Sequence, residues 1–156
     1  MTKKGFTLIE LLVVISIIGI LSALILSNLN DARARARDSQ KKSELTQLKT
    51  ALRLYYNDYQ KYPAKCGTNT IQGCGASGTT CCPVAGCPEF AAGGTGCETA
   101  YMKKLPVAEF TYVSSDDDSF TLAVTLENAS DADLAASQTV CLGAPDGSLD
   151  FYVCSD

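Results

Sequence analysis

The longest feature of the hydropathy pattern is an apolar run near the start of the chain. From Leu11 to Asn30 no residue is charged, and one carboxylate, Glu10, directly precedes the run. About twenty helical residues at about 1.5 Å each match the roughly 30 Å hydrocarbon core of a bilayer. The pattern predicts a transmembrane helix over residues 6–30, preceded by a short charged leader at residues 1–5.

A second helical pattern follows the apolar run, and no proline interrupts the chain before Pro63. Apolar and aromatic residues recur there at steps of three and four, which places them on one stripe of an α-helix. The stripe consists of Leu45, Leu48, Leu52, Tyr55 and Tyr59. We therefore expect an amphipathic helix over residues 31–62 whose stripe packs against the rest of the protein.

Strand patterns appear in the last third of the chain. Residues 109–114 and 119–127 alternate aromatic, β-branched and aliphatic side chains around the polar Asp116, Asp117 and Asp118, which is typical of a β-hairpin. Residues 105–156 are expected to form a small antiparallel sheet.

A second hairpin is predicted where residues 138–143 and 148–154 flank a Pro-Asp-Gly turn. If the turn centres near Gly147, Cys141 and Cys154 lie about opposite each other. We therefore favour a disulfide between these two residues as a clasp on the C-terminus.

Residues 63–104 have a different composition, rich in Gly, Thr, Ala and Pro, and they contain six of the eight cysteines. Without apolar periodicity such a stretch needs cross-links to offset the entropy of ordering it, so we interpret it as a connecting loop held by disulfides. The cysteines are Cys66, Cys74, Cys81, Cys82, Cys87, Cys97, Cys141 and Cys154. Their even number favours disulfides and an oxidising compartment, although the sequence permits 105 pairings.

Several chemistries are excluded by what the sequence lacks. It has no histidine and no Cys-x-x-Cys pair, so the usual Ser/His and Cys/His sites, zinc sites and thiol-disulfide centres are missing. The carboxylates of Asp116, Asp117 and Asp118 lie on an expected turn with nothing to raise a pKa. We interpret them as a solvated turn, with a calcium site as the weaker alternative. No catalytic residue is predicted.

Charge is segregated along the chain, although the formal total is only -4. Residues 28–65 contain nine basic and four acidic side chains, whereas residues 105–156 contain ten acidic and no basic ones. Opposite-sign surfaces of this kind attract subunits to one another, unless both are merely solvated faces. Arg33, Arg35 and Arg37 spread around a helix with no aromatic residue among them, so nucleic-acid binding by an isolated subunit is disfavoured.

The N-terminal stretch "KKGFTLIELLVVISIIGIL" resembles the start of type IV prepilins and of the related type II secretion pseudopilins. The likeness lies in the basic leader, the Gly5-Phe6 junction, Glu10 four residues later and the apolar run that contains Gly19. It covers about the first thirty residues closely. The later long helix, connecting loop, sheet and C-terminal disulfide are loosely similar to the family architecture.

The resemblance implies specific processing and assembly. A membrane prepilin peptidase would cut between Gly5 and Phe6 and methylate the new amine of Phe6, and Glu10 would pair with the Phe6 amine of a neighbouring subunit. A carboxylate inside a membrane costs about 2.5 to 3.5 kcal/mol on insertion scales, which makes such a partner physically reasonable. The alternative is that Glu10 is stabilised by the positive end of its own helix.

The sequence therefore predicts an α+β, pilin-like fold, in which a long N-terminal helix, transmembrane then amphipathic, packs on a small antiparallel sheet. The expected function is that of a structural subunit of a type IV pilus-like filament, with no enzymatic activity. The first alternative is the major pseudopilin of a type II secretion system. A monomeric, membrane-anchored, disulfide-rich binding module is the second, with the apolar run as an uncleaved single-pass anchor. A conventional secretory signal cut near Ala32 or Ala34 also stays open.

The expected partners follow from this interpretation. They are further copies of the chain in a helical filament, the prepilin peptidase, an inner-membrane assembly platform and, before assembly, the cytoplasmic membrane. The basic residues after the apolar run favour a cytoplasmic C-terminus. The cysteines and the family resemblance favour an external one, which we prefer. Adhesion, motility and DNA uptake are the roles that the resemblance suggests for such a filament.

Overall fold

The structure is a computed structural model that describes residue 5 and residues 7–67, 70–73, 80–82, 89–91, 99–106 and 109–155. The side chains of residues 24–28, 66, 67, 70, 73, 80–82 and 115 are outside this description. The chain divides into an N-terminal unit, residues 1–37, and a C-terminal unit, residues 38–156.

One helix, α1, runs from Leu8 to Tyr59 and passes from the first unit into the second. The absence of proline from this stretch allows the length, because proline would remove a backbone hydrogen bond and clash with the preceding turn. In the N-terminal unit, the large apolar side chains from Leu8 to Leu21 are 47% to 81% exposed.

The described helices include none with the length and apolarity that crossing a membrane requires. The predicted transmembrane segment, residues 6–30, includes Phe6 and the side chains of residues 24–28, which lie outside the described residues.

The C-terminal unit has a core formed by one stripe of α1 and several short antiparallel strands. Leu45, Leu48 and Leu52 of the predicted stripe are at most 1% exposed, and Tyr55 packs against the same core. Tyr59 ends the stripe, 42% exposed and stacked on Tyr55. The α+β arrangement of a long N-terminal helix packed on small antiparallel sheets is thus confirmed.

Short strands, rather than a loop alone, are found in the cysteine-rich stretch. In chain order they are β1 (Lys65–Gly67), β2 (Thr70–Gly73), β3 (Thr80–Cys82), β4 (Phe90–Ala91) and β5 (Ala100–Met102). The first three form one antiparallel sheet and the last two another. Ile71 and Phe90 are fully buried in the core. Runs of two to four residues are too short to show the alternation that predicts a strand.

The C-terminal sheet contains the predicted first hairpin. Strand β6 (Thr111–Asp116) pairs with β7 (Ser119–Thr125), and the register shifts near Asp116. In β7 every second residue is buried: Phe120, Leu122 and Val124. A third strand, β8 (Asp150–Cys154), pairs antiparallel with β7, so the order is β6-β7-β8.

The second predicted hairpin is wrong in its first half. Residues 133–142 form a helix, α2 (Asp133–Leu142), where a strand was expected over 138–143. Leu134, Ser137 and Gln138 lie at helical spacing and are buried. Gly143 ends the helix in the left-handed region at φ 83°, and its N–H donates to the Thr139 carbonyl at 3.1 Å. The β-branched pair Thr139-Val140 is the misleading strand signal.

Candidate assembly site

The start of α1 is closed by three reciprocal hydrogen bonds between Thr7 and Glu10. The Thr7 N–H and hydroxyl donate to Oε2 of Glu10 at 2.8 and 2.6 Å, and the Glu10 N–H donates to the Thr7 hydroxyl at 3.3 Å. Thr7 precedes the helix and Glu10 is its third residue, so this is a capping box. Glu10 therefore already has a role inside one chain, which is the alternative that the sequence left open.

Of the two predicted processing residues, Gly5 is among the described residues and Phe6 is not. Gly5 is exposed, and a Cβ added there would meet no atom within 4 Å. The predicted contact between the Phe6 amine and Glu10 of a neighbouring copy therefore involves a residue outside the described part of the chain.

The surface that follows the capping box is apolar on all sides of the helix. Side chains at every helical angle are exposed, for example Leu12, Val13, Val14 and Ile15 at 47% to 59%. A helix that is apolar all round is normally covered by other protein or by lipid. At about 25 cal/mol per Å² of buried apolar surface, covering it would provide a large driving force for association.

In the C-terminal unit, Asp38 attaches α1 to the segment after β7. Its side chain is 1% exposed, and its two carboxylate oxygens accept hydrogen bonds from the backbone N–H groups of Glu127 and Asn128 at 2.8 and 2.9 Å. A buried carboxylate is tolerated because charge-assisted bonds to backbone donors replace its hydration. The sequence carries no signal for this role of Asp38, since a single Asp after basic residues looks like a helix-surface charge.

Two lysines of α1 reinforce the same attachment. Lys41 contacts Glu127 at 3.3 Å and Asp38 at 3.7 Å, and Lys42 contacts Asp131 at 2.9 Å and Asp133 at 2.7 Å. Burial lowers the pKa of Lys42, but its hydrogen bonds to Asp133 and Asp131 outweigh this and hold the pKa above its ordinary value. The hydrogen bond from Lys42 lowers the pKa of Asp131. Four carboxylates thus contact two ammonium groups.

A disulfide joins α2 to β8. Cys141 and Cys154 are bonded with their Cα atoms 5.7 Å apart, and they are the pair that the sequence favoured, although one partner lies on a helix instead of a strand. Cys74, Cys87 and Cys97 lie outside the described residues, and the side chains of Cys66, Cys81 and Cys82 are likewise not described.

The three consecutive aspartates lie at the β6–β7 turn. Asp118 accepts a hydrogen bond from the Tyr56 hydroxyl at 2.8 Å, and the Asp117 carbonyl accepts one from the Tyr62 N–H at 2.8 Å. Within the turn, the Asp116 carboxylate accepts the Asp118 N–H at 3.1 Å. The turn therefore holds the C-terminal end of α1. Nowhere in the described part of the chain do three acidic or cysteine side chains group as a metal site.

Comparison with known proteins supports the N-terminal motif. Residues 1–26 match the family described as "Prokaryotic N-terminal methylation motif". The resemblance of this segment to the type IV pilin and pseudopilin family is thus confirmed. No solved structure matches the chain.

Three of the similar proteins represent both branches of the family. The type IV major pilin protein PilA of Myxococcus xanthus is 41% identical over 60 residues, 38% of this chain and 27% of that protein. The type II secretion system core protein G of Pectobacterium carotovorum is 37% identical over 62 residues, 40% of each chain. A fimbrial protein of Neisseria meningitidis is 41% identical over 75 residues, 48% of this chain and 42% of that protein. The matches span less than half of each relative's length.

Proposed function

We propose that this chain, whose N-terminus is of the type found in type IV pilins and type II secretion pseudopilins, is a structural subunit of a type IV pilus-like extracellular filament. The observation that carries the proposal is the capping-box start of a helix whose first turns, within the methylation motif, expose large apolar side chains. Such a helix is suited to be buried among copies of itself. The activity is assembly, and no chemical step is assigned to the chain.

We infer a sequence of states from this arrangement. The precursor is held by residues 6–30 in the cytoplasmic membrane, with the C-terminal unit outside the cytoplasm. The prepilin peptidase removes residues 1–5 and methylates Phe6, and an inner-membrane assembly platform then transfers the helix from lipid into the filament. Burial of the apolar surface supplies most of the free energy of assembly. The contact from Glu10 to the Phe6 amine sets the register between neighbouring copies.

The disulfide between Cys141 and Cys154 supports an external location, because such bonds persist in oxidising compartments. The pseudopilin of a type II secretion system is the second candidate. It is favoured by the similarity to secretion core protein G, and it shares the same N-terminal mechanism.

The proposal is tested by the non-reduced intact mass of the protein isolated from its native host. We expect a mass that lacks residues 1–5, gains one methyl group and loses the hydrogens removed by disulfide formation. Electron microscopy of sheared surface material should then show filaments that contain the chain. A full-length mass, or a mass that fits a cut near Ala32 or Ala34, would contradict filament assembly and favour an anchored or secreted module.

A further inference from the structure

A shallow cleft lies at one end of the β6-β7-β8 sheet and has a volume of about 150 Å³. Its lining includes the acidic Glu109 and Asp150 and the hydroxyl-bearing Thr111 and Thr125. The sheet register explains why they meet: Thr125 pairs with Asp150, and Thr111 pairs with Ala123 on the neighbouring strand. Oδ1 of Asp150 accepts the Thr125 hydroxyl at 2.6 Å, which fixes that carboxylate at the cleft.

The two carboxylates that line this cleft take no part in the ion pairs of the described residues. Lys41 donates to the Thr125 carbonyl at 3.0 Å, but this lysine is already shared between Asp38 and Glu127. No basic residue follows Lys104 in the sequence, so the last third of the chain has no cation of its own. Among the described residues, neither Glu109 nor Asp150 contacts a cationic side chain.

The complementary charge lies on the N-terminal unit. Arg33 and Arg35 are exposed on α1, and within the described part of the chain neither has a carboxylate partner. Both are arginine, whose planar guanidinium donates two parallel hydrogen bonds to carboxylates and is weakly hydrated compared with an ammonium. The two carboxylates and two hydroxyl oxygens that line the cleft are acceptors, which suit the N–H donors of a guanidinium.

We propose that the cleft between Glu109 and Asp150 receives the guanidinium of Arg33 or Arg35 from a second copy of the chain. The inference rests on the proposed filament, because a filament brings the N-terminal unit of one copy against the C-terminal unit of others. The two surfaces differ, so the contact is heterologous, and a heterologous contact that does not close into a ring generates an open helical assembly. The segregated charges of the sequence then promote association between copies.

Charge reversal tests the contact in cells that assemble the full chain. We expect the double variant Arg33→Glu/Arg35→Glu, and separately Glu109→Lys, to reduce sheared filament yield by roughly threefold or more, since a lost charge pair slows association and changes its salt dependence. Combining them should restore much of the yield. Lys61→Glu makes the same charge change at an exposed lysine away from the cleft and should leave the yield unchanged. Equal loss in the control, or no rescue in the combination, overturns the contact.

Cross-linking provides a readout that does not depend on yield. In filaments assembled from mixed ¹⁴N- and ¹⁵N-labelled Arg33→Lys/Arg35→Lys chains, a carbodiimide should join the new amine to Glu109 or Asp150. Mass spectrometry should find mixed-isotope peptides. Filaments without such peptides, or with only single-isotope ones, overturn the docking contact and leave the filament itself established. Absence of filaments from the unaltered chain counts instead against the proposed function.

Discussion

At the scale of single residues, Glu10 has two roles that must be separated. Its carboxylate accepts two hydrogen bonds from Thr7 within one chain, and the proposed assembly contact requires the same carboxylate to face the amine of a neighbour. A glutamine can replace glutamate in a capping box but carries no charge. The two roles therefore predict different behaviour for Glu10→Gln and Glu10→Ala.

We expect both variants to be inserted and cleaved normally but to form few or no filaments, because each lacks the charge that pairs with the Phe6 amine. Filament counts by electron microscopy and the processed mass would measure this. Ser39→Ala, at an exposed position of the same helix, serves as the control. Normal assembly of Glu10→Gln together with failure of Glu10→Ala would mean that helix capping alone is needed.

The buried Asp38 is the residue on which attachment of α1 to the sheet depends most directly. We expect Asp38→Ala to lower the free energy of unfolding by about 2 to 4 kcal/mol, because two backbone N–H groups lose charge-assisted acceptors in a buried site. Asp38→Asn keeps one acceptor and should lose less. Urea unfolding of the full chain in detergent, monitored by tyrosine fluorescence, gives the free energies of unfolding. A loss below about 0.5 kcal/mol for Asp38→Ala would show that the bonds are replaced by water.

At the scale of elements, the sequence indicated some parts of the fold and not others for identifiable reasons. The α1 stripe and the β6–β7 hairpin repeat their periods over several residues, so Leu45, Leu48, Phe120 and Leu122 show their burial in the pattern. Helix α2 is ten residues long and buries only one large apolar side chain, Leu134, so its periodicity is weak. The buried polar contacts of Ser137 and Gln138 depend on β8 and have no local signal.

Those two residues of α2 protect the outer edge of β8. The Tyr152 N–H donates to the Ser137 hydroxyl at 3.1 Å, and the Gln138 amide donates to the carbonyls of Ser148 and Asp150, both at 3.1 Å. The side-chain oxygen Oε1 of Gln138 also accepts the Asp146 N–H at 3.2 Å. Side chains thus satisfy backbone groups that an exposed edge would offer to other strands.

We therefore expect the position of β8 to depend on Gln138 more than on the disulfide beside it. Gln138→Leu should speed hydrogen exchange at Asp146 and across residues 148–152 and lower the free energy of unfolding by about 2 to 3 kcal/mol, through several lost buried bonds. Cys141→Ser/Cys154→Ser should lower stability by a similar amount, through a less restricted unfolded chain, while leaving native-state exchange at Asp146 slow.

Exchange measured by mass spectrometry at fixed pH distinguishes the two variants. Gln47→Leu makes the same substitution on an exposed face of α1 and should change stability by less than about 0.5 kcal/mol. Fast exchange across residues 146–152 in the cysteine double variant, with slow exchange in Gln138→Leu, would reverse the assignment and make the disulfide the main support of β8.

At the scale of the whole molecule, the chain combines two units with different requirements. The N-terminal unit exposes apolar surface that needs cover, and its processing residues follow a motif that sequence comparison detects directly. The C-terminal unit has its own core, and the ion pairs that Lys41 and Lys42 make with Glu127, Asp131 and Asp133 join residues 86 to 91 positions apart. Such long-range pairs leave no spacing signal, which is why the sequence showed the charge segregation but not its partners.

Two tyrosine hydroxyls should set the pH above which the C-terminal unit loses folding stability. Burial raises the pKa of Tyr112, whose hydroxyl donates to the Pro63 carbonyl at 2.6 Å. Burial, and then the hydrogen bond to Asp58, raises the pKa of Tyr101. Each native hydroxyl keeps its proton above the ordinary tyrosine pKa of 10.0, at which the unfolded chain releases it. This stability is therefore complete below about pH 10 and is lost as the pH rises further.

We expect the urea midpoint to be flat from pH 6 to 9 and to fall above about pH 10, with Tyr112 contributing at most about 1.4 kcal/mol per pH unit. Tyr112→Phe should lower the midpoint at pH 7, because the Pro63 carbonyl loses its donor, but should make the alkaline fall shallower. Tyr59→Phe, at an exposed ring, should change neither. An alkaline fall of the same steepness in Tyr112→Phe would assign it instead to Tyr101 or to the loss of the ammonium charge on Lys42, and Tyr101→Phe and Lys42→Met separate these two.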